Sequence, residues 1–208
     1  MSTAPLIFSS GDDADELARA ELYGLLASLW LTPPDEALLL QFKTAVTQAP
    51  QTGSVLEAPW QDLVSALRAT TAADAAAEHN DLFHGIGKAE VFAYASYYLA
   101  GFLNEKPLAT LRTDLAALGL TRDADALETE DHIAYLLEVM RYLIAGDDIA
   151  ICNLEQQRRF FRGHLQNWVG ELCETVRAHP RAQTWGAVAA FTREFIAVET
   201  QGFDMLEA

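Results

Sequence analysis

An all-α fold is predicted by three observations. Apolar residues recur at helical spacing along most of the chain. Leu and Ala are abundant while Val and Ile are scarce, a balance that favours helix over sheet. No segment combines apolar–polar alternation with flanking turn residues, so no strand is predicted. The 208 residues suffice to enclose a real core, as one large domain or two small ones.

The elements follow in order. Leu17, Leu22, Leu25, Leu26 and Leu29 share one helical stripe, and Asp12, Asp13, Asp15 and Glu16 crowd its start, where the helix dipole favours acids. Pro33 and Pro34 end that helix. Thr32 reads as the N-cap of a second helix, with Pro33 at its first position and an end near Val46. Pro50, Gly53 and Pro59 mark a loop, followed by a helix from about Trp60 to Arg68. Another covers Ala73 to Phe83 and stops at Gly85 and Gly87. An aromatic cluster of Phe92, Tyr94, Tyr97, Tyr98 and Phe102 precedes Pro107 and a helix from Leu108 to Leu118, closed by Gly119. The stripe of Ile133, Leu136, Leu137, Met140, Leu143 and Ile144 predicts a helix from Thr129 to Ile144, stopped by Gly146. A long helical region spans about Ile149 to Arg177, open to a break at Gly163, and Pro180 starts a last helix through Glu199. The sum is nine or ten helices with short connections.

Charge excludes some partners. With 30 acidic and 14 basic residues the net charge is −16, which repels nucleic acid and anionic membranes and attracts basic partners; solubility alone is the other reading. No run of about 18 apolar residues exists to span a membrane, and Met1 to Asp13 has no basic-then-apolar leader pattern. Cys152 and Cys173, on apolar-rich helical stretches without metal-like spacing, read as buried free thiols of a reducing compartment. Together these features point to a cytoplasmic protein.

Most candidate sites have a plain structural account. Asp81-x-x-His84 has no second copy to complete a helical di-metal site, and His79, His84, His132, His164 and His179 lack ligand spacing, so no metal is expected. Gly85-Ile86-Gly87-Lys88 resembles the end of a phosphate loop. Leu82 stands where the loop needs Gly, however, and Ala89 where it needs Ser or Thr; a helix-ending turn fits better, with nucleotide binding as the alternative. Ser96 and Cys152 have no local base, so no enzyme activity is indicated. Phe161, His164, Leu165 and Trp168 share a face that suits core packing beneath a basic edge at Arg158-Arg159. The tyrosines of the aromatic cluster suit a core or a peptide groove equally well.

Glu130-Asp131-His132 is the segment that local rules explain least. With Thr129 as N-cap, the two acids complement the start of the following helix. A histidine there gains nothing from the dipole, and its place at the edge of the apolar stripe predicts partial burial, as a hydrogen-bonded core residue or as a site residue.

These segments, in this order, resemble the TorD/DmsD/NarJ family of chaperones for molybdenum-containing oxidoreductases. The resemblance covers about residues 17–175. It rests on Arg19-Ala20-Glu21-Leu22-Tyr23-Gly24-Leu25-Leu26, Asn80-Asp81-Leu82-Phe83, and Tyr94-Ala95-Ser96-Tyr97-Tyr98-Leu99 with Gly101-Phe102-Leu103. It continues in Lys106-Pro107-Leu108, Leu111-Arg112, Leu118-Gly119-Leu120, Glu130-Asp131-His132-Ile133, and Phe160-Phe161 with His164-Leu165 and Trp168. The family often has proline where Ala93 and Thr129 stand here. The resemblance implies a single helical domain over residues 1–208, with an N-terminal part at about 12–105 and a C-terminal part at about 106–200 meeting near the Asp-His segment. It implies a non-enzymatic chaperone without a cofactor, acting as monomer or homodimer. Such a protein binds an apo catalytic subunit, at or near its twin-arginine signal peptide, before cofactor insertion and export. Asp131 and His132, with Tyr94, Ser96 and Glu130, then become the client-binding candidates. A carboxylate such as Asp131 can hold a guanidinium bidentately, and an aromatic groove suits the apolar part of a leader.

Overall fold

A computed structural model describes residues 11–45, 54–85, 89–123 and 125–206, without the side chains of 11–13. Ten α-helices are present among them: α1 (Gly11–Leu31), α2 (Glu36–Thr44), α3 (Glu57–Ala69), α4 (Ala72–His79), α5 (Ala95–Ala100), α6 (Lys106–Ala117), α7 (Ile133–Ala145), α8 (Leu154–His164), α9 (Val169–Ala178) and α10 (Thr184–Met205). No strand occurs among the described residues; the one β-type contact is an isolated antiparallel bridge between Tyr94 and His132. The all-α reading holds.

Of the stripe read on the first helix, Leu26 and Leu29 are buried, Leu22 and Leu25 half-buried and Leu17 exposed; Tyr23 and Trp30 are buried with them, and α1 lies along α7, whose Ile133, Leu136, Leu137, Met140 and Leu143 are all buried. α10 packs on α9 and α3, and α7 on α8. Side chains from all of these helices join one connected core. Trp30 Nε1 donates to Thr192 Oγ1 at 3.0 Å and ties α1 to α10 inside it.

Several boundaries differ from the sequence reading, each for a local reason. Asp35, not Thr32, caps α2, its Oδ1 accepting from the Leu38 amide at 2.8 Å. Pro34 disfavours helical backbone at Pro33, so the helix cannot start there. Pro59 lies inside the first turn of α3, where its missing N–H costs nothing. α4 gives way at Asn80 to a π turn, Asn80–His84, closed by the Gly85 amide on the Asn80 carbonyl at 2.7 Å. The predicted break near Gly163 falls just after His164, and Trp168 Nε1 takes up the freed His164 carbonyl at 2.7 Å. Cys173 is buried and free as expected, whereas Cys152 is only half-buried and lies in the turn before α8, not on a helix. The readings at Val46, Pro50, Gly53, Ile86, Gly87 and Lys88 lie outside the described residues.

α10 begins at Thr184, not Pro180, because its cap comes from another helix. Glu78 of α4 accepts from the amides of Gln183 (2.8 Å), Thr184 (3.0 Å) and Trp185 (2.8 Å). One carboxylate thus satisfies three amides left open at a helix start and meets the positive end of its dipole. Glu78→Ala is expected to cost about 1–2 kcal/mol in urea denaturation, with Glu78→Gln recovering part of the loss; an unchanged midpoint would show that water replaces the cap without loss.

Candidate functional site

The Tyr94–His132 bridge builds the site. The Ala95 amide donates to the Asp131 carbonyl at 3.0 Å and the Ile133 amide to the Ala93 carbonyl at 2.9 Å. These two bonds clamp the start of α5 to the start of α7, so segments more than thirty residues apart share one short ladder. The candidates Tyr94, Ser96, Glu130, Asp131 and His132 are all brought together here.

Their roles differ from the sequence reading. His132, not Thr129, is the N-cap of α7: its Nδ1 accepts from the Ala134 amide at 3.3 Å. Glu130, Asp131 and His132 therefore precede the helix instead of forming its first turn. Asp131 is 1% exposed. Its Oδ2 accepts from the Ser96 amide (3.0 Å) and from Ser96 Oγ (2.5 Å), and its Oδ1 from Thr129 Oγ1 (2.7 Å). Tyr94 is the N-cap residue of α5 but makes no side-chain bond to the amides of the helix start. The Asp131 carboxylate supplies the missing acceptor from across the fold. Thr129, at a place where the family often has proline, contributes a hydroxyl that proline lacks.

Two further arms complete the cluster. The Tyr94 hydroxyl donates to Glu128, and its ring meets the His132 imidazole edge-on at 5.0 Å. Burial, reinforced by Glu128, raises the Tyr94 pKa above the usual phenol value, so the hydroxyl stays a donor. Glu130 receives a bidentate fork from Arg112 of α6 (3.1 and 2.9 Å), and this hydrogen bonding lowers its pKa. Burial pushes the His132 pKa down to about 4, against the pull of Glu128 and Asp131, so the ring is neutral at pH 7.

Sequence reasoning missed Glu128, the Thr129 hydroxyl and Asn104, whose amide donates to Ser96 Oγ at 3.2 Å from a backbone at φ +61°. Asn at that position is the one available signal, since it tolerates left-handed backbone better than most residues. Among the described residues no group of His, Cys, Asp and Glu could hold a metal ion, and no helix is long and apolar enough to cross a membrane.

An all-α fold with its Asp-His segment bonded across to an aromatic-Ser segment defines a class that comparison with known proteins identifies. Residues 50–174 match the model of the nitrate reductase delta subunit family, and the chain belongs to that family, which includes the TorD and NarJ proteins. It is 28% identical over 204 residues to "Chaperone protein TorD" of Vibrio cholerae serotype O1, an alignment spanning 90% of this chain and 93% of the relative. It is 29% identical over 203 residues to the protein of that name from Vibrio atlanticus, and 24% over 200 residues to that of Aliivibrio fischeri; each alignment spans 88% of this chain and 93% of the relative. The relatives bear the name of a chaperone, not of an enzyme.

Proposed function

We propose that this chain is a cytoplasmic, system-specific chaperone. It binds an apo molybdenum-cofactor oxidoreductase subunit, at or near its twin-arginine signal peptide, and holds it for cofactor insertion and folding before export. The observation that carries this reading is that four of the family-matched candidates, Tyr94, Ser96, Asp131 and His132, meet across one bridge in a chain of this family, with Glu130 next to them in sequence and held by Arg112. Tyr94 and Glu130 are half-buried and stand at its accessible edge, while Asp131, Ser96 and His132 lie beneath. A net charge of −16 draws in a basic leader. The test is calorimetry with a precursor subunit. Wild-type protein is expected to bind, and Asp131→Ala or His132→Ala to weaken binding about tenfold or more, equivalent to about 1.4 kcal/mol. Wild-type protein with no affinity for any such precursor would sink the reading.

The bonding of Asp131 and His132 favours a second reading, a helical adaptor in which both residues only cap and pack. In that case both alanine variants lose about 0.5–2 kcal/mol of stability and retain the partner.

A further inference from the structure

A second groove lies far from the Tyr94–His132 bridge. Its volume is about 260 Å³, and α1, the start of α8 and the end of α10 form its walls. Arg19 and Glu199 stand in it, paired at 2.7 Å, and Arg19 also bonds Gln157, which holds the Leu143 carbonyl. Leu143 is about 15 Å along α7 from Ile133, at the 1.5 Å rise of a helix. Beside the ion pair the groove is apolar and open. Leu154 is 45% and Leu206 57% exposed, Val198 is half-buried, and Phe203 is buried with its ring under the Arg19 guanidinium. A Cβ on Gly202, which also lines the groove, would meet nothing within 4 Å. Among the described residues nothing covers these side chains.

The chain itself supplies a segment that fits. Residues 1–10 precede α1 and lie outside the described residues. They include three consecutive large apolar residues, Leu6, Ile7 and Phe8, and no ionisable side chain. Reach agrees with composition. Glu16 and Arg19, on the groove's α1 wall, stand about 8 and 12 Å along the helix from Gly11. An extended chain covers about 3.3 Å per residue, so Phe8 and Leu6 reach about 10 and 16 Å from the same point when the chain doubles back. The triplet is thus level with the groove, and its tether gives it a high effective concentration there. An uncharged segment can lie beside the Arg19–Glu199 pair without desolvating a charge of its own, whereas a second copy carrying −16 is repelled. We propose that Leu6, Ile7 and Phe8 fold back along α1 and seat in this groove, strapping the ends of α1, α8 and α10 together over the Arg19–Glu199 pair. The strap excludes water from the pair and so strengthens it.

The test uses the full chain and a mutant cycle. Replacing Leu6, Ile7 and Phe8 together by Ser is expected to lower the melting temperature by about 4 °C or more. Leu154→Ser with Leu206→Ser is expected to lower it by a similar amount, although both side chains are exposed among the described residues. Combining all five changes should then add little, because contacting groups do not contribute independently. Methyl-labelled wild-type protein is expected to show a nuclear Overhauser contact from Ile7 to Val198 or Leu206 within one chain. A segment variant that melts with wild type overturns the strap, and so do fully additive falls, which would mean that segment and groove act apart. A contact seen only between differently labelled chains in a mixed sample overturns it and assigns the groove to a second copy. Groove variants that melt with wild type but lose a precursor subunit overturn it and assign the groove to the client.

Discussion

Glu199→Ala is expected to cost about 3–5 kcal/mol, a large share of the roughly 5–15 kcal/mol that holds a domain of this kind folded. Glu199 of α10 is 8% exposed and faces Arg19 of α1, whose Nε lies 2.8 Å from Oε1 and whose Nη2 lies 2.7 Å from Oε2. Tyr23 donates its hydroxyl to the same carboxylate at 2.7 Å. Arg19 also reaches Gln157 Oε1 at 2.9 Å, and Gln157 Nε2 donates to the Leu143 carbonyl at 3.2 Å. One chain of bonds thus links α10, α1, α8 and α7. Burial opposes the charge on Arg19, and the hydrogen bonds and charge of Glu199 more than compensate, so its pKa lies above the usual value. Burial and the adjacent Glu199 also hold the Tyr23 hydroxyl protonated. Removing the carboxylate leaves a guanidinium in a site built for a pair, with only the half-exposed Glu16 nearby at 3.0 Å. The cost is that of an uncompensated buried charge, not the net worth of the pair. Arg19→Met with Glu199→Leu should therefore cost clearly less than Glu199→Ala alone. Chemical denaturation of the three proteins decides it, and a single-variant loss below about 1 kcal/mol would mean that water reaches the pair.

That network shows what was legible in the sequence. The stripes of α1 and α7 predicted two helices that pack along each other, but Tyr23 was outside the stripe read on α1 and its burial was not foreseen. Nothing in the sequence near Arg19 or Glu199 says that they meet, because they are 180 residues apart. The same limit explains the misplaced start of α10, whose cap comes from Glu78 across the fold, as that of α5 comes from Asp131. The starts of α2 and α7 differ for local reasons: Asp35 and His132, not Thr32 and Thr129, accept from the amides of the first turn. Local rules singled out Glu130-Asp131-His132 through its unexplained histidine, but joining it to Tyr94 and Ser96 was legible only as resemblance. A one-pair bridge such as Tyr94–His132 leaves no periodicity to detect, and the inward turn of Asp131 follows from that bridge and not from the residues beside it.

Acid is expected to destabilise this protein through its buried neutral histidines. His79 and His132 are 5% and 6% exposed. Burial lowers both pKa values to about 4; the neighbouring His84 lowers each further, and His132 adds to the effect on His79. In the unfolded chain both titrate near 6.5. Between those values the unfolded state binds more protons than the folded one, so stability rises with pH there. The stabilisation is complete above about 6.5, is lost as the pH falls to about 4, and the loss then levels off. Each histidine carries roughly 3 kcal/mol of this change by the usual conversion. His164 adds in the same window: burial lowers its pKa, although Asp114 opposes the shift. Glu130, with its pKa lowered by Arg112, contributes only at lower pH, below the ordinary carboxylate value of 4.5. His132→Asn separates these terms, because an Asn side chain can still accept from the Ala134 amide but does not titrate. Its stability measured by urea at stepped pH should fall less steeply between pH 6.5 and 4 than that of wild type, and parallel curves would refute the assignment.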